Sequence, residues 1–292
     1  MHDSHIHLAL EPLKSNCREY IEEFEDKGGI HILAQSAEIE DWDVNLDIKK
    51  NFSKIVDIGI AIHPTYFEEN TLYKGIFDHI YDKSLRYLDE LESYISKNKE
   101  YILAIGETGL DYYQIQNDNN YTKDNIQEIR EIQKVSLSKH INIANKYDMP
   151  ISIHARDMIG DNQCVKDTIE IVAREGRGLL KGSFHSYTGD LSLLPDILDL
   201  GFCVGFNAII TYNSGENVRA ILKETPLERI LFETDGPFLP PQSVRKDSRI
   251  KSKFAKPIHI QEIIEIAAEI KGIDKKKMEE ISDSNYERVF FN

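Results

Sequence analysis

The sequence has few cysteines and lacks an apolar stretch long enough to cross a membrane. Its three cysteines, Cys17, Cys164 and Cys203, are far apart and form no CxxC pair. This spacing excludes a disulfide framework and a zinc ribbon, and it is typical of a protein from a reducing compartment. A membrane span needs about 18 consecutive apolar residues, whereas the longest apolar-rich run, from Ile55 to Ile62, has the length of a strand. The first residues also lack the basic and apolar regions of a secretory signal, so we expect a cytoplasmic protein that contacts no membrane.

Positive charge is scarce as well. The 292 residues include 35 lysines and arginines against 50 aspartates and glutamates, which gives a formal net charge of −15. A field of that sign repels nucleic acids and acidic membranes. Any phosphate-bearing partner must therefore be attracted by a metal ion or by a local basic segment.

The chain also lacks repeats, low-complexity tracts and flexible linkers, and it consists instead of alternating β-rich and helical segments. Helical periodicity is clearest over Leu85–Ile95 and Ile129–Ala144. The β-rich runs are Asp3–Leu8, Gly29–Ala34, Ile55–Ile62, Tyr101–Glu107, Pro150–His154, Leu180–His185, Phe202–Asn207 and Ile230–Glu233. This alternation predicts an α/β fold, a TIM-type (β/α)8 barrel that forms a single domain over residues 1–292. An open doubly wound sheet is the alternative, but it usually has a glycine-rich phosphate loop after its first strand, where His5 and His7 stand here.

Two segments have the composition of inserted loops. Gln114–Asn125 is polar and rich in turn-forming residues, and Pro237–Pro257 is basic and bounded by prolines. Both follow predicted strands. In a barrel they therefore lie over the C-terminal face, where functional sites are built.

Ionisable side chains stand at the carboxyl ends of most of the predicted strands. His5 and His7 are two residues apart on the first strand, so both imidazoles can face the barrel axis. The other strand ends contribute His63, Glu107, His154, His185 and Asp235. Burying so many ionisable groups at one rim costs several kcal/mol unless they are paired or coordinate a metal ion. We therefore predict a metal centre at this rim.

The residue types restrict the ion. Imidazole and carboxylate ligands without a thiolate allow magnesium, manganese, zinc or iron. The candidate ligands are more numerous than one tetrahedral ion needs, and a carboxylate such as Glu107 can bridge two ions about 3.5–4 Å apart. We therefore expect two divalent ions per chain.

Seven motifs follow one another from Asp3 to about Phe291. In order they are DSHIHL, AIHP, AIGETGLDYY, PISIHARD, FHSYTG, LFETDGPFL and SNYERVF. Together they resemble the TatD-related metal-dependent hydrolases, a branch of the amidohydrolase-type barrels that includes DNases. The resemblance implies that one metal is held by His5, His7, Glu107 and Asp235. It implies that the other is held by Glu107, His154 and His185.

Two of the departures from the family pattern concern substrate recognition. Thr65 stands where the family often has a second histidine after the His-Pro pair. The stretch SKFAKP, from Ser252 to Pro257, replaces a family segment that typically resembles RGKRNEP, and it keeps only the basic character and the proline. We expect substrate recognition to differ accordingly.

The expected reaction is hydrolysis of a phosphodiester bond, with DNA as the first candidate substrate. Metal ions lower the pKa of water towards neutrality and hold the scissile phosphate. Asp235 is predicted to act as the base, Glu107 to bridge the ions, and His63 to stabilise the substrate or assist the leaving group. Hydrolysis of a small lactone, amide or other ester is the main alternative, because one metal site can serve several reactions. A non-catalytic scaffold is a third interpretation.

Arg156 follows a predicted metal ligand closely. Its guanidinium is placed to pair with a phosphate oxygen, and a salt bridge to Asp157 or Asp161 is the alternative. Asp111 either orients a metal ligand or caps a loop. Tyr112 and Tyr113 either stack on a nucleobase or pack under the loop.

A basic segment between Arg245 and Lys256 stands out against the acidic chain. It carries six basic residues and one acid, so its net charge is +5 and that of the remainder is −20. We predict that Arg249, Lys251 and Lys253 bind the DNA backbone, while the acidic remainder limits the enzyme to single strands or ends. The alternative is a solvated loop whose charges only promote solubility.

Overall fold

Eight parallel β-strands lie side by side in chain order around the centre of the molecule. The computed structural model describes residues 1–67, 80–117 and 121–291. The strands are β1 (His2–Ile6), β2 (His31–Gln35), β3 (Val56–Gly59), β4 (Ile102–Asp111), β5 (Ile151–Arg156), β6 (Gly182–Phe184), β7 (Cys203–Phe206) and β8 (Ile230–Phe232). Hydrogen bonds from Asp235 N to His5 O (2.9 Å) and from His7 N to Gly236 O (2.7 Å) join the ends of β8 and β1. The sheet is therefore a nearly closed barrel, which confirms the predicted (β/α)8 architecture.

Helices connect successive strands and surround the barrel. They are α1 (Cys17–Asp26), α2 (Asp41–Asn51), α3 (Ile80–Asn98), α4 (Tyr112–Asn117), α5 (Lys123–Tyr147), α6 (Gln163–Gly176), α7 (Leu194–Asp199), α8 (Glu216–Glu224), α9 (Gln242–Lys246), α10 (Ile260–Lys271) and α11 (Lys275–Phe290). The periodic segments Leu85–Ile95 and Ile129–Ala144 lie in α3 and α5, as predicted. α10 ends at Lys271 and is followed by Gly272, whose φ of +66° costs glycine nothing. No helix within the described ranges is long and apolar enough to cross a bilayer.

Two strand boundaries differ from the prediction by more than two residues, and the others differ by at most two. β3 ends at Gly59, three residues before the predicted Ile62, and β4 continues to Asp111, four residues beyond the predicted Glu107. The apolar run after Gly59 remains buried as irregular chain, which apolar character alone does not distinguish from a strand. In β4 a carboxylate interrupts the apolar pattern, but the ladder with β5 only shifts register after Ile105 and then continues to the strand end.

The inside of the barrel changes from apolar to polar along its axis. Near the N-terminal ends of the strands, apolar side chains close the barrel: they are Leu33, Ala104, Cys203, Leu231 and, from α11, Tyr286, Val289 and Phe290. Further along the axis Gln35, Ser152 and Glu233 are buried. Glycines provide the space, since a Cβ at Gly59 would lie 1.9 Å from Gln35 Oε1 and one at Gly205 would lie 2.3 Å from Glu233 Oε2. Branched apolar residues usually fill such interiors, so this polar layer marks the end of the barrel that carries the site.

The opposite, N-terminal end of the barrel holds an ion network of its own. Asp57 Oδ2 lies 2.8 Å from His31 Nδ1, and Asp57 Oδ1 accepts from Lys49 Nζ at 3.0 Å. His2 Nδ1 lies 2.5 Å from Asp283 Oδ1 of α11. Each carboxylate here therefore has its own cationic or imidazole partner, and the network joins β1, β2 and β3 to the helices around them.

His140, at the interior face of α5, does not belong to this ion network. Its Nε2 accepts from Ile62 N at 3.1 Å and its Nδ1–H donates to Ser136 O at 2.8 Å. Burial lowers the pKa of His140 to about 4, and the bond to the Ser136 carbonyl opposes this only in part. The imidazole is therefore neutral and ties α5 to the chain that follows β3.

Candidate metal centre and pocket

Glu107 occupies the centre of the ionisable residues predicted at the C-terminal rim. Its Oε2 lies 3.2 Å from His5 Nε2 and 3.4 Å from His7 Nε2. Asp235 Oδ1 lies 3.6 Å from His7 Nε2 and 4.0 Å from His5 Nε2. His5 and His7 therefore lie close to both Glu107 Oε2 and Asp235 Oδ1, and we call His5, His7 and Asp235 the first ligand set.

The other oxygen of Glu107 faces a different group of imidazoles. Oε1 lies 2.7 Å from both His154 Nδ1 and His185 Nε2, and 3.4 Å from His63 Nε2. We call His63, His154 and His185 the second ligand set. The structure thus brings all six predicted metal ligands together, and it adds His63, for which the sequence suggested only a substrate-facing role.

The spacing of these atoms suits metal ions. Ligands that bind one tetrahedral ion at about 2.0–2.2 Å lie roughly 3.3–3.6 Å from one another. The two Nε2 atoms of His5 and His7 are 3.3 Å apart, and His185 Nε2 is 3.4 Å from His154 Nδ1. Among the described residues, three overlapping groups have ligand atoms that all lie within 4.8 Å of one another: His5 with His7 and Asp235, His5 with Glu107 and His185, and His63 with Glu107 and His154. The residues present therefore fit a metal centre.

Neighbouring polar groups orient the imidazoles. Ser152 Oγ lies 3.1 Å from His5 Nδ1, which leaves Nε2 for the cluster. Asp111 Oδ2 lies 2.9 Å from His154 Nε2, and Asp111 Oδ1 accepts from Gln114 N at 2.8 Å. Both roles considered for Asp111 are therefore realised, because it orients a ligand and caps the start of α4. Such outer partners fix the tautomer and the orientation of metal-binding imidazoles.

Glu233 is a residue of the candidate site that the sequence analysis did not single out. It is fully buried, and its Oε1 lies 3.4 Å from His185 Nδ1, opposite the nitrogen that faces Glu107. It also accepts hydrogen bonds from Ser186 N and Ser4 Oγ. No local pattern in the sequence indicated it, because β8 ends at Phe232 and the left-handed backbone of Asp235 breaks the alternation by which residues two apart share a side.

The charges of the cluster are strongly coupled. Burial raises the pKa of Glu107 and Asp235, but the surrounding imidazoles outweigh it and hold both pKa values below their usual range. Burial lowers the pKa of His5. For His7 and His154, hydrogen bonds to the carboxylates outweigh burial and raise each pKa to about 9. Protons and a cation would occupy the same atoms, so metal binding to this cluster releases protons.

The cluster forms the floor of a pocket of about 500 Å³. Leu10, Ile209, Phe238 and Leu239 line it beside β7, β8 and β1, and Arg156 and Gln114 line it beside β4 and β5. Asp235, Ser186 and Leu239 have φ values of +54°, +46° and +50°. Few side chains other than glycine adopt this left-handed conformation, and it is concentrated at functional sites.

Arg156 reaches the pocket as predicted, and its guanidinium lies 4.0 Å above the ring of Tyr113. Neither alternative salt bridge forms within the described part of the chain. Asp157 instead accepts from the backbone N–H groups of Cys164 and Val165 at 2.8 and 3.1 Å. The stack leaves the edge of the guanidinium available to an anion.

The two tyrosines of GLDYY have different surroundings. Tyr112 is buried and its hydroxyl donates to Asp167 at 2.7 Å, so it packs under the loop. Tyr113 carries the Arg156 guanidinium. Of the predicted insertion Gln114–Asn125, residues 118–120 lie outside the described residues.

The predicted DNA-binding residues of the basic segment do not line the described pocket. The described pocket lining includes Phe238 and Leu239 from Pro237–Pro257 but none of Arg249, Lys251 and Lys253. Arg249 is exposed and forms an ion pair with Asp247 at 2.6 Å. Lys253 Nζ donates to the carbonyl of Arg245. DNA binding by these residues stays a prediction.

Residues 2–291 match the family model described as TatD related DNase. The chain belongs to this family. Among curated relatives of this TatD-related chain, YcfH of Escherichia coli K12 is 31% identical over 192 residues, which are 66% of this chain and 64% of YcfH. YabD of Bacillus subtilis is 25% identical over 288 residues, which cover 99% of this chain and 98% of YabD. Both are described as uncharacterized metal-dependent hydrolases.

A solved structure extends the similarity to the fold. The TatD homologue YJJV of Escherichia coli K12 superposes with a TM-score of 0.77 at 19% identity, covering 99% of this chain and 97% of that protein. This likeness supports the barrel architecture of the TatD-related chain.

Proposed function

We propose that this protein is a metal-dependent hydrolase of phosphodiester bonds, and that its substrate is DNA presented as a single strand or an end. The observation that carries the proposal is the division of Glu107 between two ligand sets at the floor of a pocket. A carboxylate shared in this way is suited to bridge two divalent cations, and paired cations suit in-line displacement at phosphorus. The family description supports DNA as the substrate.

The residues of the cluster would have distinct roles in metal binding and in proton transfer. His5, His7 and Asp235 would hold one cation, His63, His154 and His185 the other, and Glu107 both. When bound, the cations would supply Lewis-acid polarisation of the ester and acidify water. Asp235, ionised because its pKa is low, would accept the proton of the attacking water.

Two further residues would act on the substrate. Arg156 would donate to a non-bridging phosphate oxygen through the guanidinium edge that faces away from Tyr113. His63 is partly exposed to the pocket, and its Nε2 faces Glu107 while its Nδ1 contacts Thr65 Oγ1 at 2.6 Å. It would therefore serve first as a ligand and only secondarily assist the leaving group.

The volume of the pocket and the net charge of the protein favour a strand end or an unpaired nucleotide over a duplex as the substrate. A pocket of about 500 Å³ is in the range that holds a single small ligand. The net charge of −15 opposes the approach of a duplex over a wide surface. A strand end or a single unpaired nucleotide fits both limits.

The test combines metal analysis with a substrate screen. Protein stripped with chelator is reconstituted with magnesium, manganese or zinc and assayed on single-stranded DNA, blunt duplex, RNA, a lactone and an amide. We expect cleavage of single-stranded DNA that requires about two ions per chain. Cleavage of the lactone or amide alone would assign the small-substrate alternative, and full activity in the absence of any divalent ion would overturn the metal mechanism.

A further inference from the structure

Phe238 is joined to the candidate base by one tight turn. Phe238 N donates to Asp235 O at 2.9 Å, and Pro237 lies between them and restricts the backbone. Asp235 at one end of this turn carries a ligand atom, and Phe238 at the other end lines the pocket. The distance between the phenyl ring and the metal centre is therefore set by the turn itself.

Other segments of the chain hold this turn and the residues that follow it. Ala255 N donates to Pro237 O at 3.0 Å, and Tyr212 Oη donates to Pro240 O at 2.8 Å. Gln242 N donates to Thr211 Oγ1 at 2.9 Å. The phenyl ring is thus presented by a fixed support, which lowers the entropy lost when a ligand packs against it.

The ring itself is only partly covered. It is 51% exposed, and it meets the edge of His7 with ring centroids 5.7 Å apart at 71°. Isolated exposed apolar side chains are common and need no explanation. Phe238 differs because Leu10, Ile209 and Leu239 continue an apolar wall around it inside the same pocket.

The pocket therefore has two unlike walls with the metal centre between them. The wall of β7, β8 and β1 is apolar and includes an aromatic face, and the wall of β4 and β5 carries Arg156 on Tyr113. A substrate that satisfies both walls must have a flat apolar group on one side of the scissile bond and an anionic group on the other. A nucleotide joins such groups within one residue.

We propose that Phe238 is a specificity-determining residue that stacks on the nucleobase next to the scissile phosphate, an inference that rests on the proposed phosphodiester hydrolysis. Stacking on an aromatic side chain accepts every base, because each base has a flat π-face. The pocket would then select nucleotides from other phosphodiesters without reading their sequence.

The experiment uses dinucleotide substrates that differ only in their bases. One is a thymidine dinucleotide, and two others carry a tetrahydrofuran abasic residue on the 5′ or the 3′ side. For Phe238→Ala we expect KM for the thymidine dinucleotide to rise roughly 5- to 150-fold, the range expected when one base–aromatic stack is removed. We expect kcat to change little, because ground-state and transition-state binding weaken alike.

The abasic substrates identify the stacked base. The substrate that lacks the stacked base should already bind weakly to the wild type, and Phe238→Ala should not weaken the binding of that substrate further. Phe238→Trp should restore the KM for the thymidine dinucleotide. Phe291→Ala is the matched control, because Phe291 is 47% exposed at the opposite end of the barrel, 5.0 Å from the ring of His31.

Two results would overturn the inference. An equal loss on the base-bearing and abasic substrates would show that the substitution only disturbs the turn at Asp235, and an unchanged KM would show that no base contacts the ring. A binding assay tests the stacking role of Phe238 independently of the proposed hydrolysis. Wild-type protein loaded with metal should bind thymidine 5′-phosphate at least roughly 5-fold more tightly than deoxyribose 5-phosphate, and Phe238→Ala should remove the difference.

The binding assay decides the inference even if the protein hydrolyses no phosphodiester. Loss of the preference in Phe238→Ala would then support the stacking role while the proposed reaction fails. Equal affinity of the wild type for the two ligands, or no binding of either, would overturn the stacking role whatever the reaction proves to be.

Discussion

Both ends of the barrel collect histidines and carboxylates, but they arrange them in opposite ways. At the N-terminal end Asp57 is shared by His31 and Lys49, and His2 pairs with Asp283. At the C-terminal end one carboxylate, Glu107, faces imidazoles on both of its oxygens, and five of them lie within 3.4 Å. At the N-terminal end each charged group has a partner beside it, whereas at the C-terminal end several imidazole nitrogens approach the same carboxylate.

This difference separates a structural ion network from a metal centre. A paired histidine and carboxylate stabilise each other without further help. A group in which imidazole nitrogens outnumber carboxylates and approach one another needs a shared cation or shared protons. A cluster of histidines and carboxylates therefore does not by itself indicate a metal site. The indication is an excess of imidazole nitrogens over carboxylates, with the ligand atoms close to one another.

The largest expected effect is at the centre of the C-terminal cluster. Glu107→Gln removes the charge shared by the two ligand sets, so turnover should fall by at least ~10²-fold, as for the loss of a catalytic carboxylate. Bound metal should fall at both sites. Metal content measured on the purified variant, with turnover on single-stranded DNA, checks this, and wild-type values for both would contradict the bridging role.

Asp235→Asn tests one ligand set alone. It keeps the size of the side chain but removes the proton acceptor, so turnover should fall about 10²-fold while substrate affinity changes less. The assay is performed at saturating metal, so that weaker ion binding is compensated. Near-normal turnover under these conditions would assign the base to another residue.

His140 provides a histidine that belongs to neither network. Its pKa is about 4 in the folded protein and 6.5 in the unfolded chain, so the unfolded chain binds the extra proton. The contribution of neutral His140 to the free energy of unfolding is complete above pH 6.5. It is lost as the pH falls towards 4, by about 1.4 kcal/mol for each pH unit. In urea unfolding, the stability difference between wild type and His140→Gln should shrink over this range, and a constant difference would show that His140 does not titrate.

The N-terminal network should affect stability without affecting chemistry. Asp57→Asn removes the charge that His31 and Lys49 share, and it should lower the free energy of unfolding by about 2 kcal/mol, because hydrogen bonds to charged groups contribute about 1.5–3 kcal/mol. The kcat/KM of the folded fraction should stay at the wild-type value. Glu92→Gln is the control, since Glu92 pairs with Lys146 at the surface and its loss should not move the unfolding midpoint. A fall in kcat/KM for Asp57→Asn would mean that the two ends are coupled.

The smallest expected effect concerns the basic segment outside the pocket. Replacing Arg249, Lys251 and Lys253 with serine should reduce the slope of log affinity against log salt by roughly 0.7–0.9 for each phosphate that the variant no longer binds. Serine at Lys275, Lys276 and Lys277 removes the same charge elsewhere and serves as the control. Identical slopes for both triple variants would leave the segment as a solvated loop.

The fold and the ligands were predictable because both depend on local patterns. Alternation of strands and helices indicates the barrel. His5, Glu107 and Asp235 meet once it closes, because they lie in or just after the C-terminal halves of β1, β4 and β8. Glu233 was missed because its contact with His185 joins the ends of β6 and β8, and no local pattern encodes which side chains meet across a barrel. The pairing of Arg249 with Asp247 could not be anticipated either, because an exposed side chain has many accessible partners.

The close fit of Gly205 to Glu233 has a consequence for the candidate metal centre. A methyl group at Gly205 would lie 2.3 Å from the carboxylate of Glu233, so an alanine at this position must displace that carboxylate. Because Glu233 Oε1 lies 3.4 Å from His185 Nδ1, the displacement would reach a candidate metal ligand. A residue with no side chain therefore supports the position of an imidazole in the cluster.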